Sequence, residues 1–101
     1  GISAGRHIIA LAQSHGVQVN PHVWGSAIAQ AASLQLLAAV PVAHHSLFPQ
    51  EPILEFDRSS HPFRVQLITR PIEQVDGWVA IPSGPGLGVE VDRAVLEKYR
   101  A

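Results

Sequence analysis

Two side chains capable of acid–base chemistry are found in short, largely apolar segments of the chain. His22 lies in the segment Pro21–Gly25, and Glu55 lies in the segment Ile53–Asp57. A neutral imidazole can take a proton from a carbon acid, and a nearby carboxyl can hydrogen-bond to, or protonate, the oxyanion that forms opposite it. The two residues therefore form a chemically sensible pair if the fold brings them together. A histidine at the end of a strand can equally be structural, so spacing alone leaves both interpretations open.

The segments before His22 have the patterns of a helix and a short strand. Apolar residues follow helical spacing from Ser3 to His15, and Gly16 stands where helices often need a left-handed residue to end. The β-branched segment Val17–Asn20 predicts a strand that ends before Pro21. This pattern places His22 just past the C-terminal end of that strand.

The segments between His22 and Glu55 continue the alternation. Gly25–Val40 is rich in Ala, Leu and Ile and predicts a mostly buried helix with a narrow polar stripe formed by Ser26, Gln30 and Ser33. A long loop is expected over Val42–Pro52, followed by a short buried strand over Ile53–Phe56. The order helix, strand, helix, loop, strand predicts a parallel α/β architecture, in which reactive side chains gather at the carboxyl ends of strands.

The pattern changes after Asp57. Two short strands are expected over Gly77–Pro82 and Val89–Asp92, joined by the turn Ser83–Gly88 in a hairpin-like cap. Asp92 is a plausible N-cap for a terminal helix over Arg93–Tyr99.

Composition excludes several classes of function. The chain has 101 residues, of which 47% are hydrophobic and only 15% charged, so it suits one small domain or one piece of a larger one. With 7 basic and 8 acidic residues, no broad field favours nucleic acid or an acidic membrane, and no apolar run is long enough to span a bilayer. Cysteine is absent, which excludes a disulfide framework. We expect a cytoplasmic chain, since the first residues lack the pattern of a secretion signal, and a first residue that is Gly rather than Met indicates a fragment.

Other candidate sites have plainer interpretations. His44–His45 shows no further ligand at metal-binding spacing and is interpreted as loop, while His7 and His15 are expected at the surface. Gly84–Gly88 is interpreted as a turn rather than a phosphate site, because Pro85 removes a backbone amide that a phosphate would need.

Three further residues lie close to the candidate pair in sequence. Trp24, two residues after His22, either lines a substrate pocket or simply packs against the helix. Asp57 and Arg58 are expected to form a local, exposed ion pair that contributes little to stability and has no catalytic role.

Several segments, in order along the chain, resemble the C-terminal part of the mandelate racemase/muconate lactonising enzyme family of the enolase superfamily. They are Gly1–Ser3, Ala10–Ala12, His15–Val17, Pro21–Gly25, Glu51–Arg58, His61–Arg64 and Gly84–Glu90. Within that family, the stretches around His22 and Glu55 look most like the group of galactarolactone cycloisomerases and acid-sugar dehydratases.

The resemblance implies an α/β fold, with residues 1–57 as the last βα units of a TIM-type barrel. Residues 58–101 would cap the barrel or pack on the N-terminal domain of the parent enzyme. It implies that His22 is the base that abstracts the proton alpha to a carboxylate, and that Glu55 hydrogen-bonds to the resulting enediolate. Dehydration, cycloisomerisation and racemisation share that step.

The same resemblance implies partners for this pair. They are a sugar acid or its lactone as substrate, and Mg²⁺ held by acidic residues upstream of this chain, so no metal ligand is assigned here. The aspartate that orients the base histidine is likewise expected before Gly1. The isolated fragment is therefore expected to be inactive, and the parent enzyme to be a homo-oligomer.

Two alternatives also fit: a degenerate homologue that lacks the upstream ligands, and a noncatalytic module. A partial barrel leaves unpaired strand edges, which can recruit a second chain and make this an assembly or binding module. A monomer in size-exclusion chromatography would contradict that alternative.

Overall fold

The computed structural model describes residues 1–42 and 50–100. His44–His45 and most of the predicted loop therefore lie outside the described residues. The elements, in chain order, are helix α1 (Ile2–Ser14), strand β1 (His22–Val23), helix α2 (Ala27–Leu37), strand β2 (Glu55–Phe56), helix α3 (Pro62–Val65), strands β3 (Gln74–Val75) and β4 (Trp78–Val79), and helix α4 (Arg93–Lys98).

Helix α1 agrees with the predicted bounds to within a residue and ends as its sequence predicts. Gly16 has a φ of +69°, a left-handed conformation that glycine adopts without a steric penalty. Of its apolar residues, Ile9 is buried, whereas Ile8 and Leu11 are 60% and 64% exposed. Only the side of α1 that packs on α2 is covered by described residues.

Strand β1 begins five residues later than predicted. Residues 17–20 form no strand, and the chain pairs only at His22 and Val23, in parallel with β2. A strand needs a hydrogen-bonded neighbour, and β2 offers one only opposite these two residues. His22 is therefore part of the strand itself, rather than just past its end.

Helix α2 links the two parallel strands and is shorter than predicted. The hydroxyl of Ser26 caps it by accepting a hydrogen bond from the backbone N–H of Ala29 at 3.3 Å. Its buried side comprises Ala27, Gln30, Ala31, Leu34 and Leu37. The predicted polar stripe is thus partly inside, since Gln30 is only 3% exposed. The strand predicted over Ile53–Phe56 is also shorter than expected, since β2 comprises only Glu55–Phe56. Its predicted burial was wrong, because Ile53 and Glu55 are exposed.

The C-terminal segment contains a hairpin, but between other residues than those predicted. Strand β3 pairs antiparallel with β4 through the turn Asp76–Gly77, where both residues have positive φ, as two-residue hairpin turns require. Val91 instead forms an antiparallel bridge with Ile68. The hairpin is therefore local, and the segment from Val89 onward joins a different part of the fold.

Two short helices complete the chain. Helix α3 was not predicted, although its first residue, Pro62, follows the extended His61, which is a common way for a helix to begin. Helix α4 begins as predicted, with the Asp92 carboxylate accepting hydrogen bonds from the backbone N–H groups of Ala94 and Val95. None of the helices in residues 1–42 and 50–100 is long and apolar enough to cross a membrane.

Candidate active site

The parallel pairing of β1 and β2 sets His22 directly beside Glu55. The two residues are register partners, and His22 Nδ1 lies 2.5 Å from Glu55 Oε2. Both side chains face solvent, with exposed fractions of 72% and 67%. The predicted pair is thus brought together, 33 residues apart in sequence, by the strand register.

This contact determines which ring nitrogen of His22 is available. In the tautomer that carries its proton on Nδ1, the ring donates to the Glu55 carboxylate and leaves the lone pair of Nε2 free. A base held in this way can accept a proton from a molecule in the solvent-facing space beside the pair. The geometry is therefore suited to proton abstraction.

Trp24 lies on the same side of the chain as His22. Side chains alternate along a strand, so residues 22 and 24 face one way while Val23 faces the core. The indole is 72% exposed and contacts the ring of His61 edge-on, with centroids 6.3 Å apart. Trp24 thus presents an exposed indole two residues after His22, on the side of the chain where His22 also faces solvent.

A polar network fixes the chain where it leaves β2. Asp57 accepts hydrogen bonds from the backbone N–H and the hydroxyl of Ser59, at 2.8 Å and 3.0 Å, and from the guanidinium of Arg64. These two bonds from Ser59, together with the nearby positive charge of Arg64, hold the pKa of Asp57 below its usual value. The predicted partner was wrong: Asp57 pairs with Arg64, which is only 8% exposed, rather than with Arg58.

A row of aromatic side chains, which the residue patterns do not predict, extends from Trp24 to the end of the C-terminal helix. It consists of Trp24, His61, Phe63 and Tyr99, with successive ring centroids 6.3, 6.0 and 5.2 Å apart. His61 Nδ1 is buried and has no hydrogen-bond partner among the described residues. The segment His61–Arg64 was noted only for its family likeness. No local sequence pattern predicts that the ring of His61 contacts Trp24.

The other candidates remain apart from this site. His7 and His15 are exposed, as predicted, and Gly84–Gly88 forms a turn in which the backbone N–H of Gly88 donates to the carbonyl of Pro85 at 3.1 Å. Among the described residues, no group of three or more His, Asp or Glu side chains is placed to hold a metal ion. The described residues therefore include no cluster suited to a magnesium ion.

Several characterised proteins are similar to this chain. It is 46% identical over 100 residues to D-galactarolactone cycloisomerase from Agrobacterium fabrum, covering 99% of this chain and 26% of the relative. It is 32% identical to D-gluconate dehydratase from Thermoproteus tenax over 100% of this chain and 19% of that protein. Muconate cycloisomerase 1 from Rhodococcus opacus is 31% identical, with shares of 98% and 25%. The chain thus spans about a fifth to a quarter of the length of these relatives, which are isomerases and dehydratases.

A solved structure and a family comparison agree with these relatives. The 3,6-anhydro-D-galactonate cycloisomerase from Zobellia galactanivorans has 33% sequence identity and a TM-score of 0.80, covering 98% of this chain and 26% of that one. The predicted fold, a C-terminal portion of a TIM-type barrel, is confirmed. The enolase C-terminal domain-like family matches residues 1–95. This chain therefore belongs to the enolase C-terminal domain-like family of the enolase superfamily.

Proposed function

We propose that this chain is the C-terminal part of a magnesium-dependent enzyme that abstracts the proton alpha to the carboxylate of a sugar acid or its lactone. The observation that carries the proposal is the 2.5 Å contact between His22 Nδ1 and Glu55 Oε2 on adjacent parallel strands. Relatives named for galactarolactone, gluconate and anhydrogalactonate support the substrate class.

His22 is the base in this proposal. Its Nε2 takes the proton from the alpha carbon, and the electron pair left behind moves into the carboxylate to give an enediolate. Because Glu55 accepts a hydrogen bond from Nδ1, the imidazolium that forms is stabilised by an adjacent negative charge.

Glu55 has a second role on the substrate side. Family likeness places this glutamate near the substrate carboxylate, where a carboxyl in its acid form donates a hydrogen bond to a negatively charged enediolate oxygen. The contact with His22 involves Oε2, so in this proposal the enediolate-stabilising role belongs to Oε1.

The magnesium ion in this proposal would be held by residues of the parent enzyme outside this chain. When bound, such an ion would offset the charge that builds up on the enediolate. No step described above passes through it.

The shared first step leaves three outcomes for the enediolate. Loss of a β-hydroxyl gives dehydration, ring closure or opening gives cycloisomerisation, and reprotonation on the other face gives racemisation. In this proposal Trp24 forms one wall of the substrate pocket, because its exposed indole follows His22 by two residues and an aromatic face suits the apolar C–H surface of a sugar acid.

Solvent exchange tests the base directly. The full-length protein that contains this chain is incubated in D₂O with Mg²⁺ and a panel of sugar acids and lactones, and deuterium at the alpha carbon is followed by NMR. We expect His22→Asn to reduce exchange and turnover at least about 100-fold, the usual scale of general base catalysis. Equal rates in His22→Asn and the wild type would refute the assignment.

Two matched variants serve as controls. His7→Asn changes a different exposed histidine, which lies on α1. Glu51→Gln changes an exposed carboxylate four residues before Glu55. Both should keep wild-type rates, whereas Glu55→Gln should reduce turnover because a neutral amide cannot stabilise the positive charge that forms on His22.

The exposed surfaces of this chain also fit a larger protein. Ile8 and Leu11 on α1 are uncovered, and the described residues leave an open edge on each side of the β1–β2 sheet. In this proposal the rest of the parent barrel covers them. The alternative, a second copy of this chain in a noncatalytic assembly, predicts a dimer of the isolated chain in size-exclusion chromatography and no activity in the full-length protein.

A further inference from the structure

His61 lies between Trp24 and the C-terminal part of the chain. Its ring meets the indole of Trp24 edge-on, with an interplanar angle of 63°, and meets the ring of Phe63 at 6.0 Å on the other side. Among the described residues, His61 provides the aromatic contact to Trp24. An exposed indole would otherwise have several rotamers available.

The position of His61 is itself fixed. Its backbone is extended, as expected before Pro62, and it forms the N-cap of α3. Hydrogen bonds hold the chain on both sides of His61. The buried Arg64, which follows His61, donates to Asp57 and Ser59, which precede it. The imidazole thus stands on a rigid support.

The contact of His61 with Trp24 is a packing contact. The buried Nδ1 of His61 has no hydrogen-bond partner among the described residues, so no polar interaction at that atom explains an imidazole here. The imidazole of His61 therefore interacts with Trp24 as an aromatic ring, through an edge-on packing contact.

We infer that His61 is a positioning residue: it holds the Trp24 indole as a fixed wall beside His22 and Glu55, against which the C–H face of the substrate packs. This inference rests on the function proposed above and deepens it. His61 does not touch the reacting atoms, so it acts on substrate binding through Trp24.

Steady-state kinetics of the full-length protein test this role. Loss of one aromatic edge contact corresponds to about a three- to tenfold change in an equilibrium. We expect His61→Ala to raise KM by about that factor with kcat changed less than about twofold, as for a group that aids ground-state and transition-state binding equally. His61→Phe, which keeps a ring but removes both nitrogens, should restore the wild-type KM.

A merely structural role predicts a different result. Tyr99→Leu removes the ring at the far end of the aromatic row, two contacts from Trp24, and should lower stability without changing KM. An unchanged KM in His61→Ala would overturn the inference. So would a KM in His61→Phe as high as in His61→Ala, or an equal loss of kcat and kcat/KM in His61→Ala.

Fluorescence separates failure of this inference from failure of the proposed function. Wild-type protein that turns over no sugar acid or lactone would defeat the proposed function. The emission of Trp24, obtained by subtracting the spectrum of Trp24→Phe, would still report on the contact. We expect His61→Ala to shift that emission and lower its anisotropy, and His61→Phe to leave its anisotropy unchanged. Identical emission and anisotropy in His61→Ala and wild type would overturn the positioning role.

Discussion

Arg64 donates a hydrogen bond to the carboxylate of Asp57. Asp57 directly follows β2, the strand that carries Glu55. The guanidinium is buried, so its charge is screened little and depends on this carboxylate for compensation. The pair closes the segment between β2 and α3 into a short, rigid connection. The end of the strand that carries Glu55 is therefore fixed by a residue seven positions later.

Removing the Asp57 carboxylate should destabilise the protein strongly. Asp57→Asn leaves the buried charge of Arg64 without a counter-charge, and uncompensated buried charges are among the most destabilising changes. We expect a lower midpoint of urea unfolding. Asp76→Asn, at the exposed hairpin turn, is the control and should leave the midpoint close to that of the wild type.

The same carboxylate predicts a dependence of stability on pH. The pKa of Asp57 is lower in the folded chain, so folding favours its ionised form. The resulting stabilisation is fully present above the unfolded-state pKa of about 3.9 and is lost as pH falls through the lower folded value. The difference in unfolding free energy between wild type and Asp57→Asn should therefore shrink as pH falls below about 4. A difference that stays constant down to about pH 2 would contradict the assignment.

Gln35 joins helix α2 to the loop that precedes the Gly84–Gly88 turn and to the turn itself. Its Nε2 donates to the carbonyls of Pro82 at 2.8 Å and Leu87 at 3.3 Å. Gln35→Leu removes both bonds and leaves two partly buried carbonyls unpaired, which should cost about 1–3 kcal/mol of unfolding free energy. Faster hydrogen exchange in residues 82–88 measures the local effect. Gln66→Leu, at an exposed position, should change neither quantity.

Two glycines in the same turn separate backbone strain from steric conflict. Gly86 and Gly88 both have positive φ, of +65° and +72°. A Cβ at Gly86 would meet nothing within 4 Å, whereas one at Gly88 would lie 2.7 Å from the carbonyl of Pro82. Gly86→Ala should therefore cost about 1 kcal/mol through its conformation alone, and Gly88→Ala clearly more. Equal midpoints of unfolding for the two variants would contradict this close approach.

The sequence by itself determined the local features of this protein. Helix α1 with its Gly16 end, the Asp92 cap and the order of parallel strands around α2 follow from residue types and spacing, because these preferences act within a few residues. Family likeness added the fold and the pairing of His22 with Glu55 as candidates for one site.

The tertiary structure decided what depends on partners distant in sequence. The position of β1 follows from the register with β2, and the burial of Gln30 and the exposure of Ile8 follow from which elements pack together. Asp57 selects Arg64 over its neighbour Arg58 because the fold buries that guanidinium beside it. Likewise, the contact of His61 with Trp24 joins residues 37 positions apart, which local preferences do not encode.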